Sequence, residues 1–243
     1  MRPLGLLGGM SWTSSADLYR RINLGVAARL GGLHSANLLL HSVDFAPIAA
    51  WQAQQDWAAA VQYLGEAGAG LRRAGAGALM LLTNTMHQVA DEIEQRAGLP
   101  LLHLVDITAT ALRQRGVHRL GLLGTRFTME LPFYAERLAR HGLALQVPDS
   151  EGRSAVHRLI YEELCRDVVT PAGTLLLREQ VRQLAEAGAE IVVLGCTELG
   201  LALPENSLAA LPLIDSTRLQ AEAAVDWLAT QSTPDSTELQ IPT

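Results

Sequence analysis

The chain repeats itself in two places, and the repeat limits what it can fold into. LGLLGGMSW at 4–12 returns as LGLLGTRFT at 120–128, and LMLLTNTMH at 79–87 returns as VVLGCTELG at 192–200. Within each half the two strings are nearly equally spaced, 75 residues from Gly8 to Thr83 and 72 from Gly124 to Cys196. Each string is a short apolar run that ends in glycine or hydroxyl residues, the pattern of a strand buried on both faces and leading into a loop. Two similar α/β lobes follow. Thr83 and Cys196 hold equivalent places in them. One reactive side chain per lobe suits chemistry on both faces of one small carbon centre.

Composition removes several classes. A chain of 243 residues can bury a sizeable core and is long enough for two compact domains. Its net charge of −6 leaves no basic surface for nucleic acid or anionic membrane. Two cysteines, Cys165 and Cys196, do not make a secreted disulfide framework, so free thiols are expected. No charged leader precedes the first apolar strand, and no apolar run approaches the ~20 residues of a membrane span. The expectation is a soluble, cytoplasmic protein. The seven histidines show no metal-ligand spacing such as HExxH, and no metal is expected.

Apolar runs alternating with helical patterns predict βαβ units and mostly parallel sheets. Strands are expected at 3–7, 36–42, 78–82, 101–103, 119–123, 190–194 and 211–214. Helices are expected at 14–30, 57–73, 105–115, 129–140, 154–167, 171–187 and 217–229. The fold class is α/β, with two similar lobes facing each other, each built on a mostly parallel sheet. The first lobe is assigned residues 1–105 plus 212–230, the second 106–211, and the tail 231–243 is expected to be disordered.

Ligands of open parallel sheets bind beyond the carboxyl ends of the strands. There the repeat places Thr83, Asn84 and Thr85 in one half and Cys196, Thr197 and Glu198 in the other. Free N–H groups at a following helix start would favour a carboxylate or an enolate. The same position would lower the pKa of Cys196 and raise its thiolate fraction from the small value of an ordinary cysteine of pKa ~8.5. The GLLGGMS loop lacks the GxGxxG and GK[ST] spacings, so it reads as a tight turn or as a close approach to a small anion. Cys165 shares an apolar helical face with Ile160 and Leu164, which predicts packing rather than chemistry. His87 and His103 read as structural histidines, and without a GxSxG elbow hydrolase chemistry falls behind.

Taken together, GLLGGMSW, HSVDF, TNTMH, LLGTRFTME, YEEL and GCTE resemble the aspartate/glutamate racemase family over nearly the whole chain. These are cofactor-independent amino-acid racemases, in which two cysteines, one per lobe, act on opposite faces of the substrate α-carbon. The resemblance implies two pseudo-symmetric Rossmann-like lobes with the active site in the cleft between them, a homodimer and no cofactor, and no lysine stands in a recognisable pyridoxal-phosphate site. This sequence departs from the family at the first cysteine, where it has Thr83-Asn84-Thr85 in place of Cys-Asn-Thr. In that respect it is most similar to the L-aspartate/glutamate-specific racemases. That similarity implies Cys196 as the base on the L face and Thr83 as the proton donor on the other. It also implies substrate contacts from Met10, Gln52, Thr83, Asn84, Thr85, Thr197 and Glu198. Arg166 is a candidate for the distal carboxylate and equally a solvated surface residue.

A threonine hydroxyl can give a proton to a carbanion but hardly removes one, so abstraction is expected to be efficient only from the Cys196 face. Two alternatives remain. A related branch decarboxylates malonate-type substrates with a single cysteine in the second lobe. A relative that binds its ligand without turnover is the other, since fold alone does not establish activity.

Overall fold

The computed structural model describes residues 2–205 and 209–231. The run LGLLG forms β1 (Leu4–Gly8), buried throughout, with β2 (Leu38–Ser42) and β3 (Ala78–Leu81) parallel on either side of it. Its copy forms β4 (Arg119–Gly124), which lies between β5 (Ala144–Gln146) and β6 (Ile191–Gly195), and β7 (Leu213–Asp215) pairs with β6. All pairs in this second sheet are parallel too. The fold is therefore α/β with two parallel sheets, as the repeat predicts. The registers match in detail. Leu7 pairs with Leu81 in one sheet and Leu123 with Leu194 in the other, in each case two residues before Thr83 or Cys196. The two orders also correspond. A bridge from Leu79 to Leu101 stands in the first sheet where β7 stands in the second.

That bridge is all that forms of the strand expected at 101–103. Pro100 has no N–H to give, and His103 already caps the next helix. β5 went unpredicted because a three-residue edge strand carries little pattern.

Helix boundaries follow local chemistry. Ser11 caps α1 (Trp12–Leu30), whose buried stripe Ser15, Leu18, Ile22 and Val26 has helical spacing. Asp44 caps α2 (Phe45–Gln54), a helix absent from the expected set; Pro47 falls in its first turn, where a missing N–H leaves no helical bond unmade. α3 (Trp57–Arg73) has its expected limits, and the unexpected α4 (Ala90–Ala97) packs beside it. The helix expected at 129–140 is broken by Pro132 into α6 (Arg126–Glu130) and α7 (Pro132–Arg140), with Leu131 extended at ψ 143°. The helix expected at 154–167 is α8 (Ser150–Glu162) followed by a 3₁₀ turn at Leu164–Arg166, which Asp167 ends at φ +60°. α9 (Pro171–Glu186) precedes β6, and α10 (Leu199–Ala202) is a single turn after it.

The two halves exchange their last helices. α5 (Leu104–Gln114) follows the first sheet, yet Val105, Ala109 and Leu112 enter the core of the second beside Leu120 and Leu122. α11 (Ser216–Thr230) follows the second sheet and lays Ala221, Ala224, Val225 and Leu228 against Leu4, Leu6 and α1. Because β7 belongs to the second sheet, the chain returns to the first lobe after Asp215, not at 212. Burying Val225 and Leu228 contributes about 3–6 kcal/mol relative to their exposure. The tail expected to be disordered lies outside the described residues except for Gln231. Among the described residues no helix is long and apolar enough to cross a membrane.

Candidate active site

The first polar loop leaves β3 as Thr83-Asn84-Thr85 and tightens into a 3₁₀ turn, Thr85–Val89. His87 holds it in place. Its Nε2 accepts from the Leu104 N–H at 3.1 Å, so Nδ1 bears the proton and donates to the Thr83 carbonyl at 2.8 Å. Burial, reinforced by His103, holds the His87 pKa well below the ordinary histidine range, and the ring is neutral. His103 packs edge-on to it at 4.6 Å and caps α5 through the Val105 N–H at 3.2 Å. Both histidines position the backbone.

Asn84 is tied to the other lobe through Ser216. Its Nδ2 donates to Ser216 Oγ at 3.3 Å, and Ser216 donates to the Leu194 carbonyl at 2.7 Å. That leaves Asn84 Oδ1 as a buried acceptor with no partner in the protein. The Thr85 hydroxyl meets Thr125 of the other lobe at 3.3 Å.

In the second loop a carboxylate gathers the donors. Glu198 Oε2 accepts from Cys196 Sγ at 3.0 Å and from the Thr197 hydroxyl, while Oε1 accepts from Ser11 of the first lobe at 3.0 Å. The expected lowering of the Cys196 pKa is corrected here. Burial first and Glu198 second push the thiol well above its ordinary value. α10 is four residues long, too short for a dipole that would offset them. Unliganded Cys196 is a thiol that donates to Glu198.

All the residues expected at the site line one cavity: Met10, Gln52, Thr83, Asn84, Thr85, Cys196, Thr197 and Glu198. Sequence reasoning missed Ser11, Phe45, Thr125 and Tyr161, which line it too. Thr125 and Ser11 both stand in the repeated strings, and the repeat was the signal that would have found them. Cys165 is also corrected. The break after Glu162 takes it off the apolar face, and it is exposed and lines the cavity. Arg166 is exposed and does not line the cavity. The glycine loop reads as a turn. Gly9 has φ +99°, a Cβ there would lie 2.2 Å from the Val43 carbonyl oxygen, and its N–H is taken by Ser15 Oγ at 2.9 Å.

Two parallel-sheet lobes, with paired polar loops closing on one cavity, make a two-lobed α/β architecture with its candidate site between the sheets. The family model for Asp/Glu/hydantoin racemases matches residues 7–224, and the chain belongs to that family. It is similar to the crystal structure of a Yersinia pestis protein provisionally assigned as an Asp/Glu racemase. The two are 46% identical with a TM-score of 0.88, over 94% of this chain and 100% of the other. An aspartate racemase homologue from Pyrococcus horikoshii OT3 is 27% identical with a TM-score of 0.80, over 94% of this chain and 100% of its own. The broad specificity amino-acid racemase RacX of Bacillus subtilis is 28% identical over 165 residues, 67% of this chain and 70% of RacX.

Proposed function

We propose that this protein is a cofactor-independent amino-acid racemase in which Cys196 and Thr83 work from opposite lobes on one α-carbon. The observation that carries the reading is their equivalent register on the two sheets, together with the one cavity they share. When the substrate ammonium pairs with Glu198 and offsets its charge, Cys196 gives its thiol proton to solvent, and the thiolate so formed takes the α-proton of the L-amino acid and becomes a thiol again. The electron pair left on the α-carbon delocalises into the carboxylate as an enolate. The Thr83 hydroxyl then gives its proton to the opposite face, and the D-amino acid forms. The resulting alkoxide is reprotonated from solvent before the next turnover.

Hydroxyls of Thr85 and Thr197 and the loop N–H groups hold the α-carboxylate and the charge that develops on it, at about 3 kcal/mol per preorganised donor. Glu198 and the unpartnered Asn84 Oδ1 face the ammonium group. Met10 and Gln52 complete the contacts. The chemistry asks for no cofactor, and this sequence has no lysine, which leaves pyridoxal phosphate no ε-amine to attach to. Aspartate and glutamate are the substrates that the family resemblance puts forward, and a homodimer is part of the same expectation.

Deuterium exchange at the α-carbon tests the assignment. Wild-type protein is expected to incorporate solvent deuterium into L-amino acids, and Cys196→Ser and Cys196→Ala are expected to lose it by ~10²-fold or more. Near-normal exchange by either variant would overturn the role given to Cys196.

A further inference from the structure

Beyond the reactive loops, the cavity is walled by Phe45, Gln52, Ile160, Tyr161 and Cys165. Among the described residues no arginine or histidine lines it, and the sequence contains no lysine at all. Among the described residues the one lining carboxylate is Glu198. Two arginines come near in sequence. Arg126, next to Thr125, is exposed and pairs with Glu130 at 3.5 Å, and Arg166, next to Cys165, is exposed outside the lining. Tyr161 senses the same balance. Burial first, then Cys196, Cys165 and Glu198, push its hydroxyl up to about 12, with no cation acting in the other direction.

The charges of a bare amino-acid zwitterion are provided for. Its ammonium meets Glu198 and Asn84 Oδ1, and its carboxylate meets the hydroxyls and N–H groups of the two loops. A second carboxylate, on the side chain, would give up its water without meeting a cation and would stand in the field of Glu198. We propose that the substrate of this site carries an uncharged side chain, so that glutamine and asparagine are preferred to their isosteres glutamate and aspartate. The inference rests on the racemase reading above, and it parts from that reading's acidic substrates on the charge of the cavity.

The isosteric pairs isolate the charge, because shape and volume are nearly equal. Deuterium exchange on the wild-type protein is expected to give kcat/KM about tenfold or more higher for L-glutamine than for L-glutamate, and likewise for L-asparagine over L-aspartate. Cys165→Arg adds the missing cation at an exposed lining position, and is expected to shift the glutamate-to-glutamine ratio toward glutamate by about tenfold. Arg166→Gln is expected to leave that ratio unchanged. Glutamate equal to or better than glutamine in the wild type would overturn the proposal, as would a ratio that follows Arg166. Calorimetric binding of the same four amino acids to Cys196→Ser separates the two readings. Tighter binding of the amides there upholds the charge preference even if no amino acid is turned over. Tighter binding of the acids refutes it.

Discussion

Glu198→Gln is expected to make Cys196 a better nucleophile and the protein a worse catalyst. The carboxylate and the thiol sulfur are 3.0 Å apart. A thiolate formed there would stand against the Glu198 charge at about 5 kcal/mol for an effective dielectric of ~20. The cleft is partly open to solvent, and a doubled dielectric leaves about 2–3 kcal/mol, or about two pKa units. The sign follows from the geometry. The carboxylate raises the pKa of its neighbour, so its removal lowers that pKa and raises the thiolate fraction at a given pH, while burial still holds the thiol above its ordinary value. Iodoacetamide labelling of Cys196 at pH 7.5, resolved from Cys165 by peptide mass spectrometry, should therefore quicken by up to ~100-fold. Deuterium exchange should fall by ~10²–10³-fold, because the amide carries no charge to pair with the substrate ammonium. The opposed directions make the test severe. A parallel fall in labelling and exchange would mean that the variant has only damaged the loop. A parallel rise would mean that Glu198 restrains Cys196 and gives nothing to turnover.

Three further perturbations have definite outcomes. Thr83→Cys restores a thiol to the first lobe and should raise exchange into D-amino acids relative to L by ~10-fold or more; an unchanged ratio would count against Thr83 as the opposite-face acid. Acid should destabilise the fold through its buried histidines. Burial first, then the charge of Arg137, lowers the His103 pKa from 6.5 to about 4, so the unfolded chain binds a proton that the folded chain refuses. Stability is thus full above pH ~6.5 and is lost at about 1.4 kcal/mol per pH unit as pH falls toward 4, with His87 acting in the same direction. Urea denaturation at pH 7.5 and 4.5 reads the slope, and His103→Asn, which can still cap α5, should flatten it; an unaltered slope refutes the assignment. Gly9→Ala places a methyl 2.2 Å from the Val43 carbonyl oxygen at a backbone φ of +99°, and should cost about 3 kcal/mol or more. A melting temperature within a degree or two of wild type would show that the turn adapts.

What the sequence disclosed depended on how local the cause was. The repeated strings carry both strand and loop within nine residues, and they were enough to pair Thr83 with Cys196 before any register was known. Pro132 and Pro100 act on their neighbours alone, and their effects on α7 and on the 101–103 strand follow from simple rules. Burial and partners are not local. The raised pKa of Cys196 needs Glu198 turned back onto the sulfur and a four-residue helix too short to oppose it. Cys165 reached the cavity only because the helix before it ends early, a break that no residue between Glu162 and Leu164 advertises. The exchange of α5 and α11 between the lobes depends on close approaches such as Gly25 to Val225, where a Cβ would come within 2.6 Å of the valine methyl.

That exchange bears on how a lopsided pair of reactive groups is tolerated. Each lobe is completed by a helix from the other, so the loops that follow β3 and β6 are held by both halves at once. Asn84 reaches Leu194 through Ser216, Thr85 reaches Thr125, and Glu198 reaches Ser11. None of these three links uses the side chain at position 83, and the Thr83 backbone is held by His87. A cysteine or a threonine at that position therefore leaves the scaffold of the cavity intact. Side-chain chemistry at one face can change while the geometry that presents it stays the same, and this is why Thr83→Cys is expected to alter the D-to-L ratio without altering the fold.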